Sequence, residues 1–236
     1  MAISSRPRRS AKPIRQSGRT LVVVLMAVLT CLLSAPAGAG SASADATRSS
    51  LRLFVMGDSI AGGSDEGGYG SHGWPALVAA RLGLTLTLDG EGGTGYTTAG
   101  PQPGRRAYPQ RVDDAVAAAP DVVIVEGSRN DLDPTRSKAA AVDTLRRLRA
   151  GLPHARILVI GPIYSDPQPV ASRPVDDAVA AAAAEVPLPY VSAVRRAWFT
   201  GSAHQFIGSD GVHPTDAGHV YLADQISPEV SRLLGY

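Results

Sequence analysis

Five short apolar runs, each parted from the next by a loop and a helical stretch, confine this chain to one kind of architecture. The runs lie at residues 51–56, 84–88, 121–125, 156–160 and 189–192. Their length and β-branched content read as strands. Helical patterns fall near 74–82, 108–119, 137–150 and 174–186, with a last one after Thr215. Apolar strands alternating with helices imply a parallel sheet covered on both faces. The expected class is therefore α/β: a three-layer α/β/α sandwich over a five-stranded parallel sheet. Ligands of such sheets bind beyond the carboxyl ends of the strands. The residues that follow each strand are where chemistry is to be sought.

The first 44 residues have another purpose. A basic stretch ending at Arg19 precedes thirteen mostly apolar residues, 21–33, and then a run of small ones, 34–44. These are the parts of a secretory signal. Ala42-Ser43-Ala44 and Ala37-Gly38-Ala39 both suit signal peptidase; cleavage after Ala44 is expected, leaving a mature domain of residues 45–236. An uncleaved anchor fits poorly, because thirteen residues span about 20 Å as a helix against a hydrocarbon core of roughly 30 Å. Cys31 lies inside the apolar run, after Thr30 and before Leu32, which is the wrong setting for lipidation. Arg8-Arg9 stand too far from Leu21 for a twin-arginine signal, so Sec export is expected. Cys31 is the sole cysteine, so the mature chain has no disulfide, no thiol nucleophile and no thiolate metal ligand.

Charge excludes a further class. The whole chain carries 23 Lys+Arg against 21 Asp+Glu, but six of the bases and none of the acids lie in residues 1–44. The mature part is mildly acidic, which argues against nucleic acid as a partner. The Ala-rich runs 115–119 and 178–184 read as ordinary helix. Asp113-Asp114 and Asp176-Asp177 are expected at helix starts, where carboxylates suit the dipole. His72, His154, His204, His213 and His219 show no metal-ligand spacing, and neither a metal nor another cofactor is expected.

Four strand ends carry chemistry-bearing residues. After the first comes Gly57-Asp58-Ser59-Ile60, where Ser59 is a cap, a turn residue or an exposed nucleophile; the G-x-S-x-G elbow is absent. After the second comes Gly90-Glu91-Gly92-Gly93-Thr94-Gly95, a literal G-x-G-x-x-G. No helix can open directly behind it, since Tyr96 to Gly104 is rich in Gly and Pro, so a dinucleotide reading is set aside. The loop is either a flexible turn or a glycine offering its N–H to a bound oxygen. After the third comes Glu126-Gly127-Ser128-Arg129-Asn130-Asp131, where Asn130 is a turn residue or an amide donor. Beyond the fifth comes Asp210-Gly211-Val212-His213-Pro214. An acid three residues ahead of His213 can hold its Nδ1 proton and leave Nε2 free as a base, although a local hydrogen bond alone would use the same pair.

Ser, Gly, Asn and His in this order, with Asp leading the His, resemble the SGNH (GDSL-type) hydrolases. The resemblance covers essentially residues 51–235. It implies a flavodoxin-like fold with Ser59 as nucleophile, His213 as general base and Asp210 orienting it. It also implies an oxyanion hole built from the backbone N–H groups of Ser59 and Gly93 and the side-chain amide of Asn130. Two departures stand out: the Asn that commonly opens the second block is absent, leaving Gly92 a rival to Gly93, and Ser128-Arg129 separate Gly127 from Asn130. Asp58 is read as structural.

The expected activity is that of a secreted serine esterase working through an acyl-serine, on short acyl or O-acetyl groups of a small molecule or polysaccharide. A lipase, thioesterase or acyltransferase on the same site is the alternative, with a non-catalytic envelope-binding domain behind it. No stable membrane insertion is expected after cleavage, and the oligomeric state is left open. Tyr69, Trp74, Tyr164 and Trp198 are candidate pocket walls as well as candidate packing residues.

Overall fold

A computed structural model of the protein describes residues 50–165 and 172–236. Residues 1–44 with Cys31, and part of the loop before residue 174, lie outside the described residues. Five strands are present: β1 (Arg52–Gly57), β2 (Thr85–Gly90), β3 (Val122–Glu126), β4 (Arg156–Ile160) and β5 (Tyr190–Val191). They form one parallel sheet in the order β2-β1-β3-β4-β5, the flavodoxin-type order. Six α-helices accompany them: α1 (Ser59–Gly62), α2 (Trp74–Leu82), α3 (Val112–Ala117), α4 (Pro134–Gly151), α5 (Ser172–Glu185) and α6 (Asp216–Leu234).

The period-two geometry of a strand sorts the apolar runs into two cores. Leu53, Val55, Val122, Ile124, Leu158 and Ile160 face one layer, where they meet α1, α2 and α6. Phe54, Met56, Val123, Val125, Ile157 and Val159 face the other, against α3, α4 and α5. Central strands are therefore covered on both faces, and β3 is buried along its whole length, its terminal Glu126 included. Truncating a central residue such as Ile124 would cost about 2–5 kcal/mol. The edge strand β2 departs from that rule. Its Thr85, Thr87 and Leu88 are exposed and only Leu86 of its leucines is half-buried, because an edge has a neighbour on one side only.

Several boundaries move for local reasons. Helix α4 opens at Pro134, three residues before the expected 137, because Asp133 caps it by accepting from Thr135 N (2.9 Å) and Arg136 N (3.1 Å); proline is at home in the first turn, where its missing N–H has no partner to lose. The stretch expected as one helix over 108–119 is a 3₁₀ segment, Tyr108–Arg111, followed by the short α3. Asp113 and Asp114 do occupy the first turn of α3. Asp176 and Asp177 do not lie in the first turn of α5. Asp176 is instead buried, accepting from the Tyr190 hydroxyl (2.6 Å) and the Ser192 hydroxyl (2.7 Å), so it ties the helix to the end of β5. Among the described residues no helix is long and apolar enough to cross a membrane.

Candidate active site

The carboxyl ends of β1, β2 and β3 open onto one face, and the loop leading into α6 folds over it. Ser59 is the first residue of α1, immediately after the end of β1. Asp58 turns the chain there: its carboxylate, fully buried, accepts from Ile60 N at 2.8 Å and caps the helix. Capping leaves the Ser59 side chain pointing out of the sheet rather than back into the turn. The glycines of the second block matter for packing here. A Cβ on Gly90 would stand 2.5 Å from Gly62 Cα, and one on Gly62 would stand 2.6 Å from the Gly90 carbonyl oxygen. The two loops approach too closely for any larger side chain. No helix opens at this loop, so the G-x-G-x-x-G string serves close approach and not dinucleotide binding.

His213 reaches Ser59 from the opposite end of the chain. Its Nε2 is 2.8 Å from Ser59 Oγ, and its Nδ1 is 2.5 Å from Asp210 Oδ2. The second Asp210 oxygen accepts from the N–H groups of Val212 and His213, both at 2.8 Å. Partial burial works against the Asp210 charge. The His213 ring and the two N–H groups outweigh it, and the carboxyl is pushed down to about 2. Asp210 is thus an anion at any working pH, which favours the tautomer with the proton on Nδ1 and the lone pair on Nε2.

The β2 and β3 loops complete the site. Gly92 and Gly93 line the same cleft as Ser59, Asn130 and His213. Gly93 has φ of 77°, a conformation that glycine alone adopts without strain. A Cβ on Gly92 would stand 3.4 Å from Ser59 Cβ, so this turn abuts the serine directly. Asn130 also faces the cleft, but its amide is engaged: Nδ2 donates to the Thr94 carbonyl at 2.8 Å and to Asp58 Oδ2 at 3.2 Å.

Four side chains that sequence reasoning passed over hold these loops. Arg111 is fully buried and donates to the Gly57 carbonyl at 3.2 Å, to Thr94 Oγ1 at 3.1 Å and to Asp89 Oδ2 at 3.0 Å. It clamps the ends of β1 and β2 together. Asp131 is also buried and accepts from Tyr96 N (2.8 Å) and Thr97 N (2.9 Å), joining the β3 loop to the β2 loop. Ser128 Oγ lies 2.7 Å from the Thr94 carbonyl oxygen and 3.0 Å from Asp58 Oδ2. Glu66 accepts from Ser209 N (2.9 Å), Ser209 Oγ (2.6 Å) and Asp210 N (3.1 Å). No sequence signal pairs residues so far apart. The acid beside the second-block glycines, Asp89, and the Asp that follows Asn130 were the only hints.

Of the four candidate wall aromatics, only Tyr69 lines the cleft, and it is 58% exposed. Trp74 and Trp198 are core residues packed among α2, α6 and the sheet. Tyr164 is buried as well, with the Arg129 guanidinium 5.3 Å above its ring. The cleft itself holds about 350 Å³, with Ser64, Asp65, Gln102, Arg105 and Arg129 among its walls around the serine. Beneath it lies Glu126, completely buried, with neither carboxyl oxygen in a hydrogen bond of good geometry. Burial, reinforced by the Asp58 charge, pushes its carboxyl well above the usual range, and the Asp58 N–H offsets only part of this. Among the described residues no cluster of three or more His, Cys, Asp or Glu could hold a metal ion.

The model of the GDSL-like Lipase/Acylhydrolase family matches residues 55–221. The chain belongs to that family. As a GDSL-type enzyme it is a serine hydrolase that acts on ester bonds. Among its relatives is the GDSL lipase Rv0518 of Mycobacterium tuberculosis, 38% identical over 77% of this chain and 82% of the relative. GDSL-like folds are also found among solved structures. A carbohydrate esterase family 2 enzyme with a carbohydrate-binding domain from Corynascus thermopiles (Myceliophthora fergusii) superposes with a TM-score of 0.64 at 19% identity, covering 80% of this chain and 69% of that one. TesA superposes with a TM-score of 0.62 at 21% identity, covering 78% of this chain and 99% of that one. Both likenesses concern the fold.

Proposed function

We propose that this GDSL hydrolase is a secreted esterase that removes short acyl groups, O-acetyl groups of a saccharide among them, through an acyl-Ser59 intermediate. The observation that carries the reading is the contact of His213 Nε2 with Ser59 Oγ at 2.8 Å, backed by Asp210 at 2.5 Å. His213 takes the Ser59 proton as Oγ attacks the ester carbonyl. It then returns that proton to the leaving alcohol and activates the water that cleaves the acyl-serine. Asp210, anionic throughout, stabilises the imidazolium formed at both steps. The oxyanion is received by the backbone N–H groups of Ser59 and Gly93 and by the Asn130 amide, which exchanges its longer bond, to Asp58, for the developing charge.

The short-acyl preference is supported by the cleft. A long acyl chain needs an extended apolar wall, whereas this one offers only Tyr69, Pro101 and Val212 among polar side chains. Secretion is supported by the basic, apolar and small-residue succession of residues 1–44.

The test is hydrolysis of nitrophenyl esters from acetyl to palmitoyl by residues 45–236. Turnover should be greatest at the short end and should vanish in Ser59→Ala and His213→Ala. Asp210→Asn should retain more activity than His213→Ala, since the base remains. Persistence of turnover in Ser59→Ala, or an optimum at palmitoyl, would overturn the reading.

A further inference from the structure

Two guanidinium groups flank the serine, Arg105 beside the Gly92-Gly93 turn and Arg129 beside Val212 and Tyr164, and among the described residues neither forms an ion pair. Arg105 and Arg129 both line the cleft and both are half-buried. A Cβ on Gly92 would stand 3.1 Å from Arg105 Nη1 and 3.4 Å from Ser59 Cβ. Arg105 therefore sits directly across this one glycine from the serine. It is held there by a hydrogen bond to the Gly92 carbonyl. Arg129 is held by its stacking on Tyr164 and by a bond from Nη1 to the Val212 carbonyl at 3.4 Å. Each guanidinium has five N–H donors, so most of them stay available in the cleft.

The neighbouring arginines behave differently. Arg106 bridges to Asp114 and Glu91, and Arg111 to Asp89. Among the described residues Arg105 and Arg129 have no carboxylate within ion-pair distance. Of the acids near the site, Asp58 feels the Arg129 charge, but none forms an ion pair with either arginine. Asp210 is paired with His213, and Asp58 lies buried below with its own donors. Asp65, on the Tyr69 side of the opening, is the single exposed carboxylate lining the cleft. Two guanidinium forks without an ion-pair partner among the described residues, in a mature chain that is acidic overall, thus make the cleft beside the reacting bond attractive to an anion.

We infer that Arg105 and Arg129 select an ester carrying an anionic oxygen group, a carboxylate or a phosphate, next to the scissile bond. The inference builds on the Ser59 reading of the site and adds the charge of its substrate. The anion docks against the two guanidinium groups, while the carbonyl oxygen lies towards the Gly92-Gly93 turn. Arg105 thereby senses substrate charge beside the loop that meets the oxyanion, and Arg129 does so from the His213 side. The forks hold the ester before and after acylation, so the selectivity appears mainly in KM.

The test compares matched esters at low salt. Mono-p-nitrophenyl succinate against p-nitrophenyl butyrate places the charge on the acyl side. Para-acetoxybenzoate against its methyl ester places it on the alcohol side, and para-acetoxyphenyl phosphate separates phosphate from carboxylate. At least one anionic ester should exceed its neutral partner in kcat/KM by about tenfold, the size of a charge-assisted hydrogen bond. That ratio should collapse towards unity in the Arg105→Gln/Arg129→Gln double variant, and it should shrink as added salt screens the cleft. No preference in the wild type, or one that survives the double substitution, overturns the inference. Calorimetric binding of the same esters to Ser59→Ala separates the two levels of the reading. Arginine-dependent binding without any turnover in the wild type keeps the anion wall and defeats the esterase reading. Absence of both binding and turnover defeats both.

Discussion

Glu66 grips Ser209 twice: its carboxylate accepts from the Ser209 N–H at 2.9 Å and from the Ser209 hydroxyl at 2.6 Å. A third bond, from Asp210 N at 3.1 Å, brings it to the very residue that orients His213. The loop 208–213 is otherwise anchored by few backbone bonds, such as Gly208 N to the His213 carbonyl at 2.8 Å and Gly211 N to the Gly208 carbonyl at 3.1 Å. The bonds from Ser209 hold the Glu66 carboxyl below its ordinary range, so it stays charged at working pH. Glu66 touches no reacting atom; it is a positioning residue.

Removing that grip should therefore slow the chemistry more than it weakens the fold. Glu66→Ala is expected to lower kcat by about tenfold or more, the usual consequence of a small misplacement of a catalytic group. The melting temperature should change little, because the group is on the surface. Glu66→Gln keeps an acceptor oxygen and should recover part of the rate. Steady-state kinetics beside thermal melts would decide; equal losses of rate and fold would remove the positioning role.

Asn130 offers a sharper test of the oxyanion assignment, because its amide is already committed to Thr94 and Asp58. If the amide turns to the oxyanion, Asn130→Ala should cost about 3–4 kcal/mol in kcat, or 10²–10³ in rate, with KM little changed. A fall of less than tenfold would leave Asn130 as a loop strut and assign the oxyanion to the backbone N–H groups alone.

His219 makes the fold sensitive to acid. It is almost fully buried, accepts from Trp74 N at Nδ1 (3.2 Å), and packs against Gly68 so tightly that a Cβ there would lie 2.0 Å from its Nε2. Burial is the main cause that pushes its pKa down to about 4, with Asp216 opposing. The unfolded chain takes up the proton near 6.5 and the folded protein only near 4. The stability is thus complete above pH 6.5 and is lost as pH falls towards 4. The loss is on the order of 3 kcal/mol, or roughly 10 °C in Tm. His219→Asn, whose side-chain oxygen can replace the Nδ1 acceptor, should flatten the Tm profile over that window. An unchanged slope would mean that other groups set it.

Glu126 acts in the opposite direction. Its folded pKa is raised, so the stability it contributes is present below the unfolded carboxyl pKa and is lost as pH rises and the unfolded chain ionises. Glu126→Gln, neutral at every pH and nearly the same shape, should melt higher than the wild type at pH 8, with a gap that narrows towards pH 4. A gap independent of pH would show that Glu126 is not held neutral.

Much of this was legible in the residues themselves. The strands β1, β3 and β4 were readable because a central parallel strand is buried on both faces, and Ser59, Gly93, Asn130, Asp210 and His213 could be named because their order along the chain resembles a known family of hydrolases. Asp133 with Pro134 would have placed the start of α4 correctly, since a cap is a local signal. The inward turn of Trp74 and Trp198 was not readable, because an aromatic in a loop sequence has the same composition whether it walls a pocket or fills a core.

What the sequence determined by itself is thus the periodic and the local: the alternation that imposes a three-layer sheet, the caps, the acid three residues before a histidine. What only the tertiary structure decided is the company each group keeps. Arg111 became a clamp between two strands, Glu66 a hold on a loop 143 residues away, and Arg105 and Arg129 cations in the cleft wall. The reason is physical: periodicity is written in short-range spacing, whereas the charge, burial and hydrogen bonds of a side chain are set by elements that only folding brings within a few ångströms.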